Sequence, residues 1–589
     1  MRRATARQRT IRMGVALALA VLAVAADASQ AVPAPAAAKK TAARAPDPAP
    51  AQTAWTRARA LADEGRYPEA LDLINAALRD EPDNTDLLWL KAGVTGWSGQ
   101  HKESVALFEK LLSQHPELSP EIRLDLATQR ISADDPAAAL RDIDLYLAAH
   151  PGDSDALEAR ALALARANRL SEARALYDAL LKSKPDALDL ALDRAQVMGW
   201  AGKHDEASEA YQEILRRHPG NLRARMGLAQ SLNASGQHRR AAAMYQEMLA
   251  QGEKDPEITK GLAYAQYWSG RPDRARTTLD DYLTAEPDDP EGHTLAMQLA
   301  HDQSRGVTLG YGASEDSDDL RVGSTSLEYR WPLDETTALS LRGHADDVRD
   351  PGGELHPLEL GAAHEKIWSD RWSSMAAASY YRADPGKPAV GLGELNLTHR
   401  PGDRLRFDFG VAKQPVVTRI ALDNDIRVTT VTAGLDWLAK EKIMVSLSQR
   451  FHVYNDDNQQ SRSSAALRAW VMERAKGRLG VTFDFERLSS NHDLEHGYYD
   501  PLLYTELGPG IEIESEPAEG WNLGLTARIG IQHEQGADQE PYHSVAANLQ
   551  APLGHLLSLG LEVAHSNSNL TTSSGFAQTR WAVNLVKGI

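Results

Sequence analysis

Apolar side chains are spaced in two different ways along this chain. Up to about residue 302 they recur with the spacing of amphipathic helices, and small residues return at a fixed interval. Ala58, Ala92, Ala127, Ala161, Ala195, Ala229 and Ala263 make one series; Ala70, Ser104, Ala139, Ala173, Ala207, Ala241 and Ala275 make a second. From about Arg305 that interval vanishes and strict alternation replaces it. Leu405, Phe407, Phe409 and Val411 share one face of a run, and Leu479, Val481, Phe483 and Phe485 share another. A third run places Trp521, Leu523, Leu525, Ala527, Ile529 and Ile531 together. The first region predicts paired helices and the second a long series of β-strands.

The interval in the helical region is about 34 residues, the length of a tetratricopeptide unit. A small residue in each first helix lets its neighbour approach closely, and the second small residue sits where the paired helices cross. Gly65, Gly99, Gly202, Gly236 and Gly270 supply the turn between them, and prolines such as Pro82, Pro116, Pro151, Pro185, Pro219 and Pro287 stop the second helix. Seven units and a terminal helix over Pro290–Asp302 predict an all-α superhelix across residues 53–302, an architecture that binds peptides or proteins on its concave face. Trp97, Trp200, Tyr267 and Trp268 lie beside the unit turns and are candidate partner contacts, with packing between repeats as the alternative.

The alternating runs are about ten residues long, the length of a tilted membrane-spanning strand. About sixteen fit between Arg305 and Val586, so residues 303–589 are expected to form an antiparallel transmembrane β-barrel of about 16 strands. A soluble β-sandwich also alternates, but the strand length and the strand-end aromatics Tyr329, Trp331, Tyr380, Tyr381 and Trp437 favour a barrel with interfacial girdles. In it Trp521, Leu523, Leu525, Ile529 and Ile531 face lipid, while Asn522, Thr526, Arg528 and Gln532 face a wet lumen. Glu328, Asp408 and Asp484 point into the lumen by the same alternation. They either meet a cargo or pair with inward Arg330, Arg406 or Arg478 to stiffen the wall. Asp423, Asp425, Tyr498, Tyr499 and Asp500 fall in turn-like stretches and are candidates to shape a gate, loop packing being the alternative.

Composition narrows the partners. A formal charge of -18 over 589 residues sets nucleic acid aside and favours a cationic or neutral partner, and the absence of Cys excludes disulfides and thiol chemistry. Arg2, Arg3, Arg7, Arg9 and Arg12, then an apolar run from Met13 to Ala26, predict a signal peptide over residues 1–28, followed by an Ala/Pro-rich linker over 29–52. From Arg305 onward roughly 39 Asp and Glu stand against about 27 Lys and Arg, so the barrel is acidic. No HExxH, P-loop, GxSxG or dinucleotide-binding pattern stands in a suitable context, and His492 with His496 reads as a solvated loop pair. No catalytic residue, cofactor or metal is expected.

A secreted tetratricopeptide superhelix followed by a barrel of roughly 290 residues resembles the outer-membrane porins that export exopolysaccharide. The stretches Thr418 to Trp437 and Gly497 to Ile513 are similar to parts of the poly-β-1,6-N-acetylglucosamine export porin, and more distantly the order of domains resembles the cellulose export subunit. The chain is shorter than a typical member, and it ends in Ile589 where such barrels commonly end in an aromatic residue. The resemblance implies an outer-membrane barrel with a periplasmic repeat arm. The arm would dock a polymer-modifying enzyme, typically a deacetylase, or another export subunit, and the acidic lumen would draw in a partly deacetylated, cationic polymer. The alternatives are a barrel-anchored periplasmic scaffold and a surface receptor or diffusion porin for small solutes.

Overall fold

The structure, a computed structural model, describes residues 50–588 apart from 120, 475, 495, 519, 555–556 and 570–576. The expected signal peptide, 1–28, and the linker as far as residue 49 lie outside the described residues; Pro50 already begins a helix. Helices follow in sequence from Pro50–Asp63 to Pro290–Asp302 as the alternating members of seven tetratricopeptide repeats and a terminal helix, and strands follow from Gly306–Asp316 to Gln578–Gly588. The described residues form two compact units, one ending at Ser231 and the other beginning at Leu232, inside the helix Leu222–Ala234. The last repeats thus belong to the same compact unit as the strands.

In the first unit the small-residue series is the packing seam. Ala58, Ala92, Ala127, Ala161, Ala195 and Ala229, with Ala70, Ser104, Ala139, Ala173 and Ala207, are all 0% exposed. Any longer side chain there would force close-packed helices apart. Gly227 belongs to the same logic, since a Cβ on it would stand 2.3 Å from the Tyr211 ring. Gly65, Gly99 and Gly202 take φ of 75°, 89° and 69° at the turns. Asp134 and Asn168 fill the same turn in the third and fourth repeats at φ of 63° and 58°, which Asp and Asn tolerate better than other side chains. Asn84, Asp135 and Asp153 cap the following helices by accepting from the backbone N–H of Leu87, Ala138 and Ala156.

In the second unit Gly236 and Gly270 make the turns at φ of 80° and 83°, and Ala241, Ala263 and Ala275 are fully buried. Lys260 is buried too, its Nζ 2.8 Å from Glu257 and 2.9 Å from Glu291, so the charge is compensated inside the repeat.

The sheet of this unit has 17 strands, of which the three-residue Gly353–Leu355 pairs only with Thr337–Asp350; the remaining sixteen form a closed antiparallel barrel. Each long strand pairs with its sequence neighbours, and Gly306–Asp316 closes the ring by pairing with both Arg321–Asp334 and Gln578–Gly588. Register keeps like with like: Leu309 lies across from Leu327 and Leu585, and Phe483 across from Leu467 and Pro509. These side chains are exposed on the outside, as are Trp521, Leu525, Ile529 and Ile531, the arrangement expected where lipid is the outer solvent. Among the described residues no helix is long and apolar enough to cross a membrane.

One girdle assignment is corrected. Trp331, Tyr380 and Trp437 are exposed outside, but Tyr381 is 4% exposed and packs with Val348, Leu355 and Leu392 on the inner face. Adjacent strand residues point to opposite faces, so Tyr380 and Tyr381 cannot both meet lipid. The two ends of the barrel also differ. At one, strands are joined by turns as tight as Lys440 to Ile443; at the other, the connections include Pro415 to Arg427 and Ser490 to Tyr504.

Candidate functional site

The inner face carries arginines and carboxylates in register. Glu328 lies across the strand pair from Arg342, with 3.3 Å between them. Asp408 is 2.8 Å from Arg406 and accepts from Thr398 at 2.6 Å. Asp484 accepts from Arg528 at 3.2 Å and from Thr482 at 3.0 Å. Of the three wall pairs expected from sequence, that of Asp408 with Arg406 is present and the other two are re-partnered. Arg478 goes to Glu514 at 2.6 Å, and Arg330 to Glu365 at 3.7 Å.

Arg342 and Glu514 lie directly opposite Glu328 and Arg478, whereas the other two new pairs span a strand and depend on the residue there. Arg528 reaches Asp484 over Gly508 and Gly510, where a Cβ on Gly510 would stand 2.8 Å from the Arg528 Cγ. Arg330 crosses Ala338 and Ser340 in the same way, and Arg468 reaches Glu512 at 2.7 Å past Gly480. A small residue on the middle strand opens a path for a long side chain. On the other wall Asp346, Glu359, Glu394 and Asp436 accept from Ser324, Ser379, Asn396 and Ser446, at 2.6 to 2.7 Å. For Glu359 and Asp436 these donors are neutral hydroxyls, which leave the carboxylate charge in place, while Asp346 also meets His344 at 2.9 Å. A cavity on this wall is lined by Glu328, Arg342, Glu359, Ala377 and Glu394.

The long connections fold inward and meet. Residues 416–426 leave their own strands, and Leu422 packs with Leu320, Val348, Tyr381 and Leu392 inside the barrel. Arg419 holds this segment through Asp350 at 2.5 Å and Asp423 at 2.7 Å, while Lys387 adds Asp423 at 3.1 Å. Asp425 turns the chain at φ of 54° and pairs with Arg427 at 3.0 Å. On the far side Thr418 donates to the carbonyl of Gly497 at 2.5 Å. Gly497 is required there: its φ is 86°, and a Cβ would meet the Ala421 nitrogen at 2.8 Å.

The second segment is tied to the wall by the tyrosines and by Asp500. Tyr498 stacks on Tyr454 with centroids 4.1 Å apart and donates to Asp456 at 2.8 Å. Tyr499 donates to Glu534 at 2.8 Å. Asp500 accepts from Asn458 at 2.9 Å and from the Leu494 N–H at 2.8 Å, and burial raises its carboxyl to about 6. Asp423, Asp425, Tyr498, Tyr499 and Asp500 are thus brought into two segments that touch each other at the long-connection end. Thr418, Arg419 and Gly497, which make the junction, were not singled out from sequence; the glycine in the polar run "EHGYYD" was the signal available.

The last repeats rest on the short-turn end. The Arg239 and Arg240 N–H groups, at the start of the helix His238–Ala250, donate to Asp403 at 3.1 and 3.3 Å. The Arg239 guanidinium donates to the carbonyls of Arg400 and Asp370. Burial raises the Asp403 carboxyl, against the pull of these donors. Arg276 meets Glu335 at 3.5 Å, so several short turns are engaged.

The repeat aromatics are taken up in packing. Arg59 lies over Trp97 at 4.6 Å, and Trp200 packs against the cluster containing Val197 and Leu164. Tyr267 donates to Asp302 at 2.8 Å, and Trp268 is 9% exposed beside Tyr264 and His238. Periodicity had located all four beside turns without telling which way each ring pointed.

Comparisons with known proteins agree with the helical half. Tetratricopeptide repeat models match residues 55–119, 124–187, 192–256 and 232–299. No curated protein matches the chain. Among solved structures it is similar to a bacterial polysaccharide outer membrane secretin, at 12% identity and a TM-score of 0.42, over 49% of this chain and 99% of that one. It is also similar to a tetratricopeptide repeat protein from Parabacteroides merdae, at 18% identity and a TM-score of 0.38, over 42% and 98% of the two chains. A thermophilic tetratricopeptide protein from Thermus thermophilus matches at 22% identity and a TM-score of 0.27, over 30% and 97%.

Proposed function

We propose that this chain is an outer-membrane conduit that exports an exopolysaccharide, a poly-N-acetylglucosamine-like polymer in partly deacetylated form. The observation that carries the reading is the inner wall on which the carboxylates of Glu359 and Asp436 are held by neutral hydroxyl donors. Such carboxylates attract protonated amines at many weak sites, which favours entry without trapping the polymer. The repeats join the barrel at the short-turn end, and outer-membrane barrels keep short turns in the periplasm, so the repeat arm lies on that side. There it docks the polymer-modifying enzyme, a deacetylase, or another export subunit. The inward segments 416–426 and 491–503 favour a gated conduit over an open diffusion porin.

The test is the composition and amount of cell-surface polysaccharide in a strain lacking residues 305–589, compared with the same strain carrying the full chain. Loss of one amino-sugar polymer from the surface, with its accumulation in the periplasm, is expected. Unchanged surface polysaccharide while the polymer is being made would leave the barrel as an anchor for a periplasmic scaffold.

A further inference from the structure

The tryptophans of the barrel region follow one rule with one departure. Trp331, Trp368, Trp372, Trp437, Trp521 and Trp581 are exposed on the outer face or at turns, where interfacial lipid accounts for them. Trp470 is on the inner face. Arg468, two residues before it, points to the inward Glu512, while Leu467 and Val471 are exposed outside. A β-bulge between Trp470 and Met472 shifts the register at this point, close to the short-turn end of the strand Gln459–Arg474. The register is regular up to Trp470, so alternation from Arg468 sets the indole inside, and the bulge begins only after it.

The surroundings make room for the ring. Trp470 pairs with Gly480, where a Cβ would meet the indole at 2.9 Å, so glycine is what lets the ring lie across the neighbouring strand. The Arg478 guanidinium is 4.0 Å from the ring centroid and donates to Glu514 at 2.7 Å. An indole has no lipid to meet in a wet lumen, and here the guanidinium lies over the ring while Glu514 holds that guanidinium.

We infer that Trp470, with Arg478 and Glu514, forms a saccharide-binding subsite at the short-turn mouth, which receives an amino-sugar ring as the polymer enters. The inference rests on the conduit reading. The apolar C–H face of the sugar is held by the indole, its protonated amine by Glu514 and its hydroxyl oxygens by Arg478. Because the subsite is close to the mouth, it acts on entry rather than on passage past the inward connections at the other end.

The test titrates a β-linked glucosamine hexamer, an N-acetylglucosamine hexamer and maltohexaose into the full chain in detergent micelles, with heat-modifiable gel mobility reporting the folded barrel. Trp470→Ala is expected to weaken binding of the glucosamine hexamer by about tenfold, and Trp470→Phe to stay within about threefold of the unaltered chain. Trp470→Leu retains apolar volume and stands in should the alanine variant misfold. Binding within about twofold in folded Trp470→Ala or Trp470→Leu overturns the subsite, because a ring that merely braces the wall changes stability and not affinity. If the unaltered chain binds none of the three, the conduit reading itself fails and the subsite falls with it.

Discussion

Replacing Arg239 with Ala removes the side chain that fastens the last repeats to the barrel turns. Two hydrogen bonds from a charged donor are lost, to the carbonyls of Arg400 and Asp370, and Asp403 loses the nearest positive charge. Bonds to a charged group contribute about 1.5–3 kcal/mol each. Relief of the guanidinium's own desolvation offsets part of that, which leaves a net cost of about 2–3 kcal/mol. At 1.36 kcal/mol per factor of ten, local opening should rise about 30- to 150-fold. Backbone hydrogen exchange of the full chain in micelles reads this directly. Peptides covering His238–Ala250 and residues 400–404 should exchange faster by that factor, while Pro136–Ala149, in the other compact unit, should not change. Arg239→Lys should fall between, because an ammonium cannot span both carbonyls as the planar fork does. A change below about threefold in Arg239→Ala would refute the reasoning and show that this contact does not hold the repeats in place.

Other outcomes follow from the same geometry. Gly227→Ala should cost about 1–3 kcal/mol in thermal unfolding, since its Cβ would stand 2.3 Å from the Tyr211 ring, and Tyr211→Leu should recover part of the loss. Lys260→Met should cost about 3–5 kcal/mol by stranding Glu257 and Glu291, and adding Glu257→Gln with Glu291→Gln should restore most of it by the same melt. Burial raises Asp500 from 3.8 to about 6, so its contribution is fullest below its unfolded value and is lost as pH rises through about 6. Asp456 faces the same segment; burial opposes its ionisation, but hydrogen bonds from His496 and Tyr498 hold it below its usual value, so its own loss comes at more acidic pH. Limited proteolysis within residues 491–503 should therefore be about tenfold faster at pH 8 than at pH 5, and Asp500→Asn should flatten that difference.

The repeats were readable because their packing is local and periodic. Every small residue in the two series marks a helix crossing, and each is fully buried. The two turns that escaped notice, at Asp134 and Asn168, use the residues that come nearest to glycine in tolerating positive φ. In the barrel, alternation tells which face a side chain takes but not what it meets across the sheet. That is why Glu328 and Asp484 were placed inside while their partners, Arg342 and Arg528, were not foreseen. Those pairs depend on register between strands, and in the case of Arg528 on the glycines of a third strand. The junction of the inward connections and the Arg239 clasp were further from reach, since Thr418 meets Gly497 and Arg239 meets Asp403 over long separations in sequence. No periodicity records such contacts. The inward Trp470 was missed because the outward positions before it, Ser461, Ser463 and Ala465, are small or polar and mark no lipid face from which to read the alternation.

The most direct test of passage through the lumen uses the absence of native cysteine, which makes any introduced thiol unique. Ala377 lines the inner cavity, and its neighbour Ala376 is exposed on the outer face. Ala377→Cys and Ala376→Cys, each treated in polymer-producing cells with the same bulky thiol reagent, place equal bulk on opposite sides of one strand. Polymer secretion should stop in labelled Ala377→Cys and continue in labelled Ala376→Cys. Equal secretion from both, with labelling confirmed, would contradict export through the barrel.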